Sequence, residues 1–170
     1  GHKWLLGPEG AGVFYCRQEH LDRLRPLGVG WNSVKHSADF SHVELDLKDS
    51  AARYEGGSRN MVGFIGLAAS LKCLMHYGPA RIAGRLLEVT DELCERLKSA
   101  DATIHSCREP AHASGIVSFT IPGSDLAEVK REAPEHGIVL SFRGGRLRAS
   151  PHAYTSSDDI ERLATFIRTS

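Results

Sequence analysis

The sequence predicts an α/β protein in which two long helices precede a small sheet. Apolar residues recur at helical spacing from 60 to 98, which indicates two successive helices. After residue 100, short β-branched runs alternate with helical patterns, and glycine or proline separates them. Strands that alternate with helices predict a small α/β layer, with helices packed on one side of a short sheet.

Composition and charge are those of an ordinary globular protein. The 170 residues are 41% hydrophobic and 25% charged, enough for one fair-sized core or two small ones. The 21 Lys and Arg residues balance 21 Asp and Glu residues, which gives no electrostatic reason to expect nucleic acid or a membrane as partner. Four widely spaced cysteines without a C-x-x-C pair predict reduced, mostly buried thiols and a cytoplasmic location.

The chain opens with a glycine-punctuated turn that holds a lysine. Lys3 lies between a histidine and an aromatic-apolar run, and a tight loop follows from Gly7 to Gly12. Apolar neighbours that desolvate the amine would favour a nucleophilic lysine, and an exposed lysine at a frayed terminus is the alternative. Residues 13–16 predict a strand, and residues 17–24 predict a short helical turn that ends at Pro26.

A polar loop leads to the first long helix. Residues 35–52 predict loop, and we interpret their histidines as solvated side chains rather than metal ligands. The junction Gly56-Gly57-Ser58-Arg59-Asn60 suits N-capping and an anion site at the helix start, although such junctions are common. Glycines at 63 and 66 predict the close approach of another backbone. The wide apolar face of the helix over 60–77 consists of Met61, Phe64, Ile65, Ala68, Leu71 and Met75.

The second long helix carries apolar residues at near-heptad spacing. The pattern lasts too few heptads for a coiled coil, so we interpret the helix as a link between two domains. Its inward-facing residues are expected to be Ile82, Leu86, Val89, Leu93 and Leu97.

The remaining elements form the predicted sheet and its helices. Strands are predicted at 102–105, 115–121, 137–142 and 147–150. Ser124 is expected to cap a helix, and residues 155–158 have the form of a capping box with Asp in place of Glu. The residues expected to face inward on these two helices are Leu126, Val129, Ala133, Ile160, Leu163, Ala164 and Ile167.

Three arginines surround a glycine pair near the end of the chain. Since residues on a strand alternate between faces, Arg146 and Arg148 should share a face that Leu147 opposes. A guanidinium can hold a substrate carboxylate with two parallel hydrogen bonds. The alternative is a pair of solvent-facing arginines on an edge strand.

Three of these segments resemble motifs of the class V aminotransferase-like, fold-type I pyridoxal-phosphate-dependent enzymes. The opening segment resembles their cofactor-lysine motif, in which Lys3 matches the residue that forms the Schiff base with pyridoxal 5′-phosphate and His2 matches a residue that reaches the phosphate. Gly57 and Ser58 resemble the segment whose hydroxyl donates to the phosphate of the neighbouring subunit, with Arg59 in place of the usual proline. The carboxylate-binding arginine maps onto Arg148, and Arg143 lies near a second active-site arginine.

The resemblance implies the end of a large cofactor-binding domain followed by a small α/β domain. Residues 1–79 would be the remainder of the large domain, and residues 80–170 would be the linking helix with the small C-terminal domain. The chain begins inside a loop motif without an initiator Met, which we interpret as the C-terminal part of a longer protein. The family also implies a homodimer with a shared active site.

The implied function is a pyridoxal-phosphate-dependent reaction of an amino-acid or keto-acid substrate. Transamination through Lys3 is favoured, and epimerisation and lyase chemistry are the alternatives. Cysteine desulfurases of the family need a nucleophilic cysteine on a loop that corresponds to residues 141–146, where this sequence has none, so desulfuration is disfavoured. Another alternative is that the isolated chain is a catalytically silent fragment. No metal site is predicted, since the nine histidines are dispersed.

Overall fold

The computed structural model describes residues 1–169 and contains two compact units. The N-terminal unit is Gly1–Cys73 and the C-terminal unit is Leu74–Ser170. The predicted α/β class is confirmed, since helices and a four-stranded sheet both occur. The assignment of residues 1–79 and 80–170 to two domains of a cofactor enzyme stays a prediction.

The N-terminal unit consists largely of loops held by short 3-10 helices. These helices are Gln18–His20, Trp31–Ser33 and Ala51–Tyr54. An isolated bridge between Val34 and Leu47 closes the long polar loop. The first long helix, α1, runs over Met61–Tyr77 and begins in this unit.

The predicted strand at 13–16 is wrong. These residues pair with no strand in the described part of the chain, whose one sheet lies in the C-terminal unit. The side chains of Val13 and Tyr15 are 76% and 79% exposed. Their β-branched and aromatic character indicates an extended segment, but a strand also needs a neighbouring strand to satisfy its backbone groups.

Helix α1 packs on a different side from the predicted one. The side chains of Met61 and Ile65 are largely exposed, whereas Leu67 and Gly63 are buried. Because α1 is apolar on most of its circumference, periodicity alone did not determine the packed side.

The C-terminal unit places three helices and a 3-10 turn around an antiparallel sheet. The helices are α2 (Pro79–Lys98), α3 (Leu126–Glu132) and α4 (Ser157–Thr169), and the 3-10 turn is Ala133–His136. The strands are β1 (Thr103–Ile104), β2 (Val117–Thr120), β3 (Ser141–Arg143) and β4 (Arg146–Ala149). Their order in the sheet is β1-β2-β4-β3, with every neighbouring pair antiparallel.

The core of this unit lies between the helices and one face of the sheet. Phe119 and Leu147 are fully buried on that face, as are Val89 and Leu97 on α2. The five inward-facing positions predicted for α2 are all buried, which confirms its heptad-like pattern. Truncating a fully buried aromatic such as Phe119 to Ala costs about 3–5 kcal/mol, so this cluster dominates the stability of the unit.

Both predicted helix caps are displaced by one residue. Asp125 rather than Ser124 caps α3, because its carboxylate accepts from the Ala127 amide at 2.9 Å. At α4 the capping box joins Ser156 to Asp159, whose carboxylate accepts from the Ser156 amide at 3.0 Å while the Ser156 hydroxyl accepts from the Asp159 amide at 3.2 Å. Runs of neighbouring Ser and Asp residues offer several equivalent cap candidates, and pattern alone does not separate them.

The four cysteines are free thiols in the described chain, but the expectation that most are buried is wrong. Cys94 is buried on α2, Cys16 is half-buried, and Cys73 and Cys107 are exposed. Burial raises the pKa of the Cys94 thiol above its ordinary value, which keeps it protonated and inert. The cytoplasmic location stays a prediction.

The described helices were also compared with the requirements for crossing a membrane. No single helix within residues 1–169 is long and apolar enough, although α1 and α2 together satisfy length and composition as a bent pair.

Candidate active site

Lys3 lies in a compact loop at the start of the N-terminal unit, which we call the Lys3 loop (residues 1–10). The Gly7 amide donates to the Gly1 carbonyl at 3.0 Å, and the Leu6 amide donates to the Lys3 carbonyl at 3.2 Å. The Lys3 side chain is exposed, and its amine forms no ion pair within residues 1–169. The apolar enclosure expected around this amine is therefore not supplied by the described residues.

One side of α1 holds the Lys3 loop. The Asn60 amide group donates to the Gly10 carbonyl at 3.2 Å, and the Ser70 hydroxyl donates to the Leu5 carbonyl. Leu67 packs against Gly1 and Gly7, where an added Cβ atom would lie 2.7 Å from a Leu67 methyl group. Positions 60, 67 and 70 lie on neighbouring turns of one side of the helix, so a single rigid element fixes the loop at three points.

The glycines of α1 are explained by this contact. A Cβ atom at Gly66 would lie 3.0 Å from the Pro8 ring, and one at Gly63 would lie 2.3 Å from the Asn60 amide nitrogen. The predicted close approach at both glycines is confirmed, but the approaching groups are side chains rather than a backbone. Asn60 also caps the helix, since its carbonyl oxygen accepts from the Gly63 amide at 3.0 Å.

The role of Asn60, Leu67 and Ser70 was missed from the sequence. The available signal was the pair of glycines inside a helix, which cost helix stability unless something packs closely against them. That signal identified the correct side of α1. The hydrophobic pattern outweighed it because more apolar residues lie elsewhere on the helix.

Gly57 and Ser58 line an open cavity of about 650 Å³ in the same unit. The Ser58 hydroxyl is exposed and has no hydrogen-bond partner within residues 1–169. Arg59 donates to the Glu55 carboxylate at 2.6 Å, so its additional positive charge is neutralised locally. The other lining residues include Gly10, Gly12, Phe14, Tyr54, Asn60 and Phe64.

The structure brings the predicted cofactor residues together in two groups. His2 and Lys3 are neighbours on the Lys3 loop, whereas Gly57 and Ser58 line the cavity, whose described lining includes neither of them. The Gly10 end of the loop connects the two groups, because it lines the cavity and also accepts the Asn60 hydrogen bond.

The predicted arginine face is present in the C-terminal unit. Leu147 is fully buried toward the helices, and the flanking Arg146 and Arg148 point to the opposite side of the sheet. The alternative of an edge strand is wrong, since β4 lies between β2 and β3. Arg148 donates to the Ser141 hydroxyl at 3.4 Å, while its buried Nε has no partner in the described chain.

A tight turn joins β3 to β4. Gly144 and Gly145 have φ values of 56° and 73°, and Arg143 pairs with Arg146 directly across the hairpin. Two successive positive φ values define the type I′ turn that suits two-residue hairpins. The segment that would hold the cysteine of a desulfurase is therefore a hairpin with a two-residue turn.

Comparison with known proteins identifies the family. The family model for class-V aminotransferases matches residues 1–163. A probable cysteine desulfurase from Methanothermobacter thermautotrophicus is 32% identical over 96% of this chain and 44% of its own length. Isopenicillin N epimerase from Streptomyces clavuligerus is 29% identical over 96% of this chain and 44% of its own. This chain belongs to the class-V aminotransferase family.

Solved structures support the same assignment. The apo cysteine desulfurase from Thermococcus onnurineus NA1 has a TM-score of 0.84 and 26% identity, and the match covers 99% of this chain and 44% of that one. The fold is that of the fold-type I pyridoxal-phosphate enzymes. The chain spans less than half the length of these relatives.

The donor groups of the described residues fit the family's cofactor, pyridoxal 5′-phosphate, which a solved structure of this fold also carries. An exposed amine without an ion pair, as at Lys3, suits attachment of an aldehyde. A hydroxyl without a partner beside a glycine backbone, as at Ser58, suits a phosphate.

Proposed function

We propose that the protein containing this chain is a pyridoxal-phosphate-dependent enzyme that acts at the Cα atom of an amino-acid substrate, and that its reaction is transamination. The observation that carries the proposal is the Lys3 amine. It is exposed and free of ion pairs within residues 1–169, on a loop that α1 fixes at three points. Such an amine can react, and the rigid helix limits where it can move.

Lys3 has two tasks in this proposal. Its amine attaches the cofactor by its aldehyde, and after the substrate amine has replaced it, the freed Lys3 amine moves the proton at the substrate Cα. Bound pyridoxal phosphate supplies the electron sink that makes this proton acidic enough to be removed. His2, Gly57 and Ser58 hold the phosphate, and Arg148 orients the substrate by its carboxylate.

Epimerisation is the second candidate, and one relative favours it. Isopenicillin N epimerase is similar to this chain over nearly its whole length. Both reactions begin with removal of the Cα proton by Lys3. They differ in where a proton is returned, because epimerisation returns it to Cα whereas transamination transfers the amino group away from the substrate.

Cysteine desulfuration is less well supported, although several relatives carry that name. Residues 141–146 hold no cysteine and form a hairpin with a two-residue turn. The exposed Cys107 lies before β2 and does not correspond to the desulfurase loop. A desulfurase of this sequence would need a sulfur acceptor other than a cysteine at that position.

Labelling of the lysine tests the cofactor assignment. The full-length protein is incubated with pyridoxal phosphate and reduced with borohydride, and its peptides are then weighed. We expect the cofactor mass on the Lys3 peptide, and Lys3→Ala should abolish both this label and the visible absorbance. Lys72→Ala, which removes an exposed lysine from α1, is the matched control. Label that persists in Lys3→Ala would contradict the assignment.

Product analysis separates the reactions. The full-length protein is screened with L-amino acids in deuterated water, with and without a keto acid. Transamination predicts a keto acid from the donor and a new amino acid from the acceptor. Deuterium at Cα with loss of chirality and no keto acid would indicate epimerisation, and sulfide released from cysteine would refute our argument from the hairpin.

Mixing of inactive variants tests the homodimer with a shared site. If Ser58 of one protomer serves the Lys3 of the other, then Lys3→Ala and Ser58→Ala protomers should together form one intact site per mixed dimer. We expect each variant to be weak alone and the mixture to regain activity. Activity that stays at the level of the separate variants would place Ser58 and Lys3 of one chain in the same site.

A further inference from the structure

Three guanidinium groups share the open face of the C-terminal sheet. The hairpin register places Arg143 opposite Arg146 and Ser141 opposite Arg148. Cross-strand partners lie on the same face of a sheet, so Arg143, Arg146 and Arg148 project to the side opposite the buried Leu147. Arg143 and Arg146 are exposed, and Arg148 is half-buried.

These charges are not compensated in the described chain. None of the three arginines forms an ion pair with a carboxylate of residues 1–169. Other arginines of the same unit do pair, as Arg131 does with Glu128 at 2.8 Å and Arg168 with Glu161 at 3.2 Å. Like charges placed directly across two strands are destabilising, so the Arg143–Arg146 pair weakens the hairpin it belongs to.

Arg148 adds a second sign of an absent anion. Its Nε is buried and has no hydrogen-bond partner, while its one recorded hydrogen bond goes to a neutral serine at 3.4 Å. A buried guanidinium nitrogen without an acceptor is unfavourable, and such groups in native proteins require an explanation. An anion bound on this face would satisfy Arg148 and relieve the repulsion between Arg143 and Arg146.

We infer that this face binds a substrate with two acidic groups, with Arg148 holding the α-carboxylate and the Arg143–Arg146 pair holding a second acid on the substrate side chain. The inference rests on the proposed function for the identity of the first group. Arg146 and Arg148 are two residues apart on one strand, about 7 Å along its axis. Flexible arginine side chains can adjust that spacing to a short dicarboxylic amino acid, so the substrate class is an acidic rather than an apolar amino acid.

Binding of two matched acids to the full-length protein tests this inference without turnover. Succinate carries two carboxylates and butyrate carries one on a chain of the same length. Calorimetry should show succinate binding about tenfold or more tightly, because the second carboxylate adds charge-assisted hydrogen bonds. Arg146→Gln should remove most of this preference and leave the weak butyrate binding unchanged, whereas Arg148→Gln should weaken both acids.

Arg81→Gln is the matched control, since Arg81 is exposed on α2 and also has no ion pair within residues 1–169. It should leave the succinate preference intact. Melting temperatures provide a second readout, because Arg146→Gln should raise the melting temperature without ligand and lower the increase caused by succinate. Equal affinity for the two acids, or a preference that survives Arg146→Gln, would overturn the inference.

The two proposals fail in different ways. Cofactor attachment is measured at Lys3 and anion preference at Arg146, and neither measurement requires the other. If Lys3→Ala keeps the label while Arg146→Gln loses the preference, the enzyme assignment is wrong and the anion site remains. If the label depends on Lys3 and the preference is absent, only the substrate class is wrong.

Discussion

Replacement of Leu67 by Ala should loosen the Lys3 loop through its contact with α1. Leu67 is 2% exposed and lies against Gly1 and Gly7. Leu-to-Ala changes in cores cost about 2–5 kcal/mol, with the larger values where surrounding atoms cannot fill the cavity. Since one wall of this site is a glycine-rich surface loop that can move inward, we expect about 2–3 kcal/mol.

Urea unfolding of the 170-residue chain and hydrogen exchange of residues 1–12 measure this effect. Leu67→Ala should speed exchange in the Lys3 loop, whereas Ile65→Ala, at a 69% exposed position of the same helix, should change stability by no more than about 0.5 kcal/mol. Ser70→Ala removes only the hydrogen bond to Leu5 and should cost about 1 kcal/mol. Unchanged exchange in Leu67→Ala, or equal losses at positions 65 and 67, would refute the argument that α1 positions the loop.

Four further outcomes follow from the fold. Ser156→Ala should cost about 1 kcal/mol in urea unfolding, because it removes the cap of α4. Hydrogen bonds from the Ser156 amide and hydroxyl lower the pKa of Asp159 below its ordinary 3.8, so Asp159→Asn should destabilise the chain above pH 4, and the difference should vanish as the pH falls through the lowered pKa. Gly145→Ala should cost about 1–2 kcal/mol from its φ of 73°, whereas Gly84→Ala, in a helix with open space around it, should stabilise by about 1 kcal/mol. The 170-residue chain alone should bind pyridoxal phosphate weakly and show no turnover with an amino donor, a result that robust turnover would contradict. Dialysis of the same chain against a chelator should leave its melting temperature unchanged, since no group of three His, Cys, Asp or Glu side chains in residues 1–169 could hold a metal ion.

The C-terminal unit was predictable because its elements repeat strong local signals. In α2 the apolar residues lie on one side and charged residues on the other, so the buried side follows from spacing. The strand that contains Phe119 alternates buried and half-buried residues and ends at Pro122-Gly123. The strand predicted from 137 begins only at Ser141, because Gly137 has a φ of 70° and ends the preceding 3-10 turn.

The N-terminal unit was less predictable because its order depends on contacts distant in sequence. Residues 13–16 have strand composition but no pairing strand in the described chain, and composition carries no information about pairing partners. The bond from Asn60 to Gly10 joins residues 50 apart, and the bond from Ser70 to Leu5 joins residues 65 apart. No local pattern encodes such pairs.

The glycines of α1 link this packing to function. Each glycine inside a helix costs about 1 kcal/mol relative to alanine, so Gly63 and Gly66 together weaken α1 by about 2 kcal/mol. Alanine at position 66 would place its Cβ 3.0 Å from the Pro8 ring, and alanine at 63 would collide with the Asn60 side chain that holds Gly10. The two glycines therefore reduce helix stability in exchange for a close-fitting Lys3 loop. That exchange is understandable if the position of the Lys3 amine matters more than the stability of α1, as the proposed attachment of the cofactor to Lys3 requires.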